Sequence, residues 1–431
     1  MSLTSFSRHK AIWSIAFPML LTGISTPLLG MVDTAVVGHL SDAYYLGAVA
    51  IAAMIFNLLF WAMGFLRMST TGLTAQSQGA EEELYILLRG LTLAVLAGLL
   101  FIVFQSPISQ FIFSFVDSSD EIIQHATNYF DIRIWAAPAT LCTYVLLGWF
   151  LGKEKPIINL MIVLCINIIN IILDIVFVVL LDMNSAGVAW ATLIAEYTGL
   201  IFGILILRRH ASFDDINWAA VFRLKPLKSY LSINVNIFFR TLFLIACFSF
   251  FTLQGAKFGP VILAANAVLM NFQTLMAYAL DSLAHAAEVL VGKTIFSHDK
   301  KKLKSTLMTT AIWSFGIALI FSGFYLLLGE QLIRLLTGIA EVQEMAVLFL
   351  PWLILSPLLS VWSFWLDGVF IGAGYSSAMR NTMFISMLAF FVSWYLLLPW
   401  GNNGLWAALM IFMSARGVFM LISAYQKNLF T

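Results

Sequence analysis

The sequence predicts an all-α integral membrane protein of twelve transmembrane helices, arranged as two parallel-repeat six-helix lobes. Three observations carry that expectation: an extreme composition, apolar runs of spanning length, and an internal repeat. Hydrophobic residues make up 61% of the 431 and charged residues 10%, where a soluble globular domain shows roughly 45–50% and about 25%. That departure excludes an ordinary water-soluble core. Apolar runs of the roughly 20 residues needed to cross a hydrocarbon layer follow one another with only short polar breaks. They centre near Leu20, Ile55, Ala97, Tyr144, Ile168, Leu200, Leu244, Leu275, Ile317, Leu355, Phe390 and Met413.

The first run follows Arg8 and Lys10, is long, contains Asp33 and ends on no small-residue cleavage site. It therefore reads as a retained span rather than a removed signal peptide. Basic residues then set the orientation. If the N-terminus is cytoplasmic, the even-numbered connections are too, and these hold Arg89, Lys153 and Lys155, the cluster from Arg208 to Lys228, Lys293, the cluster from Lys300 to Lys304, and Arg380. The opposite connections hold only Lys257 and Arg334. Such asymmetry holds helices in one orientation during insertion, so both termini are expected in the cytoplasm and the protein in the cell inner (plasma) membrane. The formal net charge of +1 gives no reason to expect a nucleic-acid partner. Cys142, Cys165 and Cys247 lie within spans without metal-ligand spacing and read as small core residues.

The repeat organises the chain. Gly148-Trp149-Phe150-Leu151-Gly152 ends the fourth span, and Gly368-Val369-Phe370-Ile371-Gly372 ends the tenth. Gly187-Val188-Ala189-Trp190-Ala191 is echoed by Gly404-Leu405-Trp406-Ala407-Ala408, and Leu46-Gly47-Ala48-Val49-Ala50 more weakly by Leu263-Ala264-Ala265-Asn266-Ala267. Six spans per repeat is an even number, so the halves are expected to be related by an axis along the membrane normal, a recurrent transporter plan. The boundaries expected are an N-lobe at 1–210, a cytoplasmic linker at 211–228 containing Pro226, and a C-lobe at 229–431.

An ionised side chain at membrane depth costs about 2.5–3.5 kcal/mol on insertion scales and marks a candidate pathway. Asp33 lies late in the first span, with Pro18 and Pro27 upstream on the same helix. Each proline removes a backbone donor, so the helix should bend or be able to bend, and a titratable group on it suits a proton-controlled switch. A helix-end aspartate reaching interfacial water is the plainer reading. Asn167, Asn170 and Asp174 share one face of the fifth span, where an amide and a carboxylate a turn apart can share a proton or offer oxygens to Na⁺; a polar seam between helices is the alternative. If the first and fifth helices meet, two carboxylates cannot both ionise cheaply, and proton exchange at the pair could be coupled to transport.

In the second half, Asp281, His285 and Glu288 share a face of the eighth span, with Arg240 on the seventh and Asp367 on the tenth as partner and second acid. Either a proton relay or a buried ion-pair network fits; without an HExxH pattern the metal signal is weak. Arg67 and Arg416, alone on their spans, read as structural. The 37 Phe and 18 Met could line a cavity for bulky solutes, though much of that surface must face lipid.

The chain resembles the multidrug and toxic compound extrusion (MATE) transporters, and within them the DinF-like branch. The resemblance rests on the run Pro27-Leu28-Leu29-Gly30-Met31-Val32-Asp33-Thr34-Ala35-Val36-Val37-Gly38-His39-Leu40, on Leu46 to Ala50, Gly64-Phe65-Leu66-Arg67-Met68 and Ala75-Gln76. It continues through Leu366-Asp367-Gly368-Val369-Phe370-Ile371-Gly372 and Met379-Arg380-Asn381. The resemblance implies an antiporter that expels organic, often cationic, compounds in exchange for H⁺ or Na⁺, with no cofactor beyond that ion. It also implies a lipid-bilayer setting, a monomer, an N-lobe site at Asp33, Asn170, Asp174 and Thr192, and a bend proline at Pro18. The NorM-like branch uses a seventh-helix glutamate that this chain lacks, which disfavours a cation site of that kind in the C-lobe. Two alternatives remain: a lipid-linked oligosaccharide flippase, with Arg67 and Arg240 as its only obvious cations, and an intramembrane enzyme, with Asp281, His285 and Glu288 as its only foothold.

Overall fold

The computed structural model describes residues 5–37, 43–77, 79–116, 118–213, 216–297 and 299–429; within its first two helices the side chains of residues 5, 6, 26, 28, 29, 31, 33–35, 37 and 43 lie outside the description. The described residues are predominantly helical. Helix α1 (Ser5–Val37) is followed by α2 (Ala43–Ala62) and α3 (Phe65–Gln76), then α4 (Ala80–Val103), α5 (Gln105–Phe113), α6 (Asp120–Arg133), α7 (Ala137–Gly152), α8 (Pro156–Asp174) and α9 (Asn184–Leu207). A short α10 (Trp218–Val221) precedes α11 (Leu224–Lys257), α12 (Pro260–Phe296), α13 (Lys300–Leu336), α14 (Ala340–Gly372), α15 (Ser376–Leu397) and α16 (Gly401–Gln426).

Among the described residues ten helical stretches are long and apolar enough to cross a membrane. In two of them, Tyr44–Gln76 and Asp120–Gly152, paired helices run on as a single pass. The 51-residue stretch Ser376–Gln426 is instead two passes, because the chain turns at Leu398–Trp400 and Gly401 takes a positive φ of 56°. With α1 the passes among the described residues number twelve, and each expected span centre falls on one of them. Pro156 and Pro260 open their helices where no N–H partner is required, and the Asp299 carboxylate caps α13 by accepting from the Lys302 amide at 2.9 Å.

By packing the chain forms two compact units, Leu21–Leu231 and Met1–Leu20 with Ser232–Thr431. The division falls inside α1, between Pro18 and Pro27. The early part of α1 belongs to the second unit through aromatic contacts: Trp313 donates to His9 Nδ1 at 2.9 Å and stands edge-on to Trp13 at 5.1 Å. The described residues of 211–228 fall within the first unit. There the buried Arg89 guanidinium donates to the Val221 and Ala220 carbonyls at 2.6 and 3.1 Å, at the C-terminal end of α10.

The sequence repeat is a packing repeat. A Cβ on Gly148 or Gly152 would press on the Arg67 or Thr71 carbonyl, so α7 lies against α3 at backbone distance. A Cβ on Gly368 or Gly372 would overlap the Ala284 or Glu288 carbonyl, so α14 meets α12 in the same way. Small residues permit this close approach, which lipid-embedded helices use in place of a hydrophobic drive. The turn beyond is also repeated: Lys155 N–H donates to the Phe150 carbonyl and Tyr375 N–H to the Phe370 carbonyl, both at 2.9 Å. Each passes through a left-handed residue, Glu154 (φ 57°) and Gly374 (φ 75°).

Candidate functional site

The fifth pass carries the first cluster. Asn167, Asn170 and Asp174 are all buried on one face of α8, Asp174 completely, while Ile168 and Ile172 on the other face are about half exposed. The Asn170 amide donates to the Thr192 hydroxyl on α9 at 3.3 Å, and that hydroxyl donates to the Val188 carbonyl at 3.0 Å. Asn167 donates to the Ser25 carbonyl on α1 at 3.2 Å, so the first and fifth passes meet in this unit. Small residues on α9 let α8 come this close: a Cβ on Gly199 would strike the Ile166 side chain.

Asp174 closes the regular part of α8. Beyond it Ile175–Leu180 is a wider π-helical stretch, in which the Leu181 N–H reaches back to the Val176 carbonyl at 3.0 Å. Such widened turns occur often at functional sites, and no residue pattern announced this one. A buried carboxylate is costly unless its surroundings repay it, and Asp174 is completely buried. Asp33 lies on α1, but its side chain is outside the described residues. Pro18 is buried and Pro27 exposed, and α1 remains helical across both.

The second cluster is of different chemistry. Asp367 on α14 accepts, through one oxygen, hydrogen bonds from the guanidinium of Arg240 on α11 and from that of Arg416 on α16, the latter at 2.7 Å. All three side chains are buried, and the other Asp367 oxygen makes no hydrogen bond. Arg240 and Asp367 thus form a buried ion pair. Arg416, read from sequence as a lone structural residue, is a full member of the network; a single arginine on a distant span leaves no spacing signal to find it by.

On α12, His285 Nδ1 and Glu288 are 3.2 Å apart, with Glu288 buried and His285 half-buried. Asp281, a turn earlier, lies within electrostatic range of Arg416. Among the described residues no three His, Cys, Asp or Glu side chains converge as a metal site.

A family model described as MatE matches residues 18–176 and again 237–396, one copy for each half of the repeat. DNA damage-inducible protein F of Escherichia coli (strain K12) is 40% identical over 96% of this chain and 91% of its own length. The probable multidrug resistance protein NorM of Bacillus cereus is 24% identical over 98% of this chain and 97% of its own. In fold, the chain matches a crystal structure of MATE in complex with MaL6 at a TM-score of 0.88, with 17% identity, covering 97% of this chain and 96% of that one.

Proposed function

We propose that this chain, which belongs to the MatE family of multidrug and toxic compound extrusion (MATE) transporters, exports organic, often cationic, compounds in exchange for H⁺ or Na⁺. Members of the family are multi-pass membrane transporters, not enzymes. In the proposed cycle the ion binds in the N-lobe at Asp33, Asn170, Asp174 and Thr192, and its arrival alters the bend of α1 around Pro18 and Pro27. The lobes, 1–210 and 229–431 joined through 211–228, then expose the solute to alternate sides of the cell inner membrane, with both termini cytoplasmic and a monomer as the working unit.

The observation that carries this reading is the fully buried Asp174 on the same face as the Asn170–Thr192 pair. Backbone register supports the role of Asp33. The first and fifth passes cross in the same direction and touch at Ser25 and Asn167. At 1.5 Å per residue, Asp33 lies about 12 Å beyond the first and Asp174 roughly 10 Å beyond the second, so the two backbones reach the same depth. A carboxylate pair there can take up one proton or one Na⁺ and release it when the helix moves. The flippase alternative wants a strongly cationic site, and one of its two arginines, Arg240, is already committed to Asp367.

The test is solute flux in proteoliposomes under separately imposed pH and Na⁺ gradients. Asp33→Asn is expected to abolish resistance in a pump-deficient host while the protein still reaches the membrane folded; unchanged resistance would sink the N-lobe switch. Pro18→Ala is expected to impair transport more than solute binding. Equal loss of both would reduce Pro18 to a packing residue.

A further inference from the structure

The segment between α9 and α11 carries an exposed aromatic face that the transport cycle does not use. Trp218 and Phe222 stack nearly parallel, 6.3 Å apart at 13°, and are 55% and 42% exposed; Leu224 just beyond is 84% exposed. Arg208 and Arg209 precede them, and Arg223, Lys225 and Lys228 follow, all exposed. In sequence, 208–228 holds these five basic residues and two acidic ones, Asp214 and Asp215. The acids in the first turn of α4 have partners of their own: Glu81 accepts from the Tyr85 hydroxyl at 2.5 Å, Glu82 lies within electrostatic range of Arg89, and Glu83 pairs with Lys153. The surface is also fixed in place, because Arg89 holds the α10 carbonyls from within the unit.

Apolar rings flanked by positive charge, on a backbone anchored at the end of a membrane pass, match the headgroup layer of an anionic bilayer. Aromatic side chains settle at that depth, and each lysine or arginine near the surface gains from anionic headgroups. We propose that Arg208, Arg209, Trp218, Phe222, Arg223, Lys225 and Lys228 form a lipid-reading surface, which binds anionic phospholipid of the leaflet it faces and so ties the end of α9 and the start of α11 to the charge of that leaflet. Assignment of the leaflet as cytoplasmic rests on the orientation proposed above; binding to anionic headgroups does not.

The experiment uses the full chain in nanodiscs of phosphatidylcholine alone, or with about one third phosphatidylglycerol, without solute or ion gradient, so that a failed antiport model leaves the result readable. Chymotryptic cleavage at Trp218 and Phe222 is followed in time. The expected result is cleavage slowed about tenfold by phosphatidylglycerol, with the slowing lost at high salt and in the variant Arg208→Gln, Arg209→Gln, Arg223→Gln, Lys225→Gln, Lys228→Gln. Equal cleavage in the two lipids, or equal protection in wild type and variant, overturns the proposal. The Trp218→Ser, Phe222→Ser variant supplies a second readout: its thermal midpoint should no longer respond to phosphatidylglycerol, and an undiminished response would count against the surface. Cleavage in sealed vesicles of known orientation reports the leaflet separately.

Discussion

The two units use one scaffold for two kinds of buried acid. In each, a glycine pair on the fourth or tenth pass brings two helices to backbone contact. The first unit places the buried Asp174 one helical turn from Asn170, whose amide donates to the Thr192 hydroxyl, whereas the second holds Asp367 between two guanidiniums. Protonating Asp367 would break two charge-assisted hydrogen bonds, so it is suited to holding α11, α14 and α16 together and poorly suited to exchanging ions. Asp174 has the Asn170 amide one turn away on its own face, a setting that fits the ion exchange proposed for it. Carrying the register of the glycine repeat forward places Asp174 opposite Trp394 and Asn170 opposite Phe390, and both aromatics are buried in the second unit's apolar core. Similar packing therefore does not imply similar chemistry.

The comparison breaks most visibly at Asp367. Asp367→Asn leaves two buried guanidiniums without their carboxylate and is expected to cost about 3–5 kcal/mol, read as a lowered unfolding midpoint and reduced membrane yield. Asp174→Asn should leave unfolding stability within about 1 kcal/mol of wild type while ending ion-driven flux. If Asp367→Asn proved as stable as wild type, the clamp would be no clamp.

A smaller effect tests the shared scaffold. Gly148→Ala and Gly368→Ala both force a methyl against a carbonyl of the neighbouring helix, and each should destabilise by about 1–3 kcal/mol. A large loss in one unit with none in the other would contradict the packing repeat. Smaller again, Thr192→Val removes the acceptor of the Asn170 amide, for about 0.6–1.7 kcal/mol by the measure of interhelical hydrogen bonds in membranes. It should weaken ion dependence of transport more than stability. Trp313→Phe, which removes the indole N–H from His9 and keeps an aromatic ring against Trp13, is expected to cost about 0.6 kcal/mol and to leave the Asp174 site untouched.

Much of this was legible in the sequence because membranes constrain it heavily. Span length, loop charge and the glycine repeat are local patterns, and the twelve passes and the glycine seams follow from them. The face of Asn167, Asn170 and Asp174 was legible for the same reason, since helical spacing alone puts the three together. What escaped depends on contacts between distant spans. Arg416 has no neighbour in sequence to mark it as a partner of Asp367. The assignment of α1 to two units turns on Trp313, far along the chain, and the widened turn after Asp174 lies in an ordinary apolar run, Ile175 to Leu180.

The central claim is that the exchangeable acid lies in the first unit and the fixed one in the second. Its most direct test is ion-driven solute flux by Asp174→Asn in proteoliposomes, with pH and Na⁺ gradients imposed one at a time. We predict that flux falls to the level of protein-free vesicles under whichever gradient drives the wild type, while the purified variant keeps the wild-type unfolding midpoint. Flux at the wild-type rate under that same gradient would contradict the account.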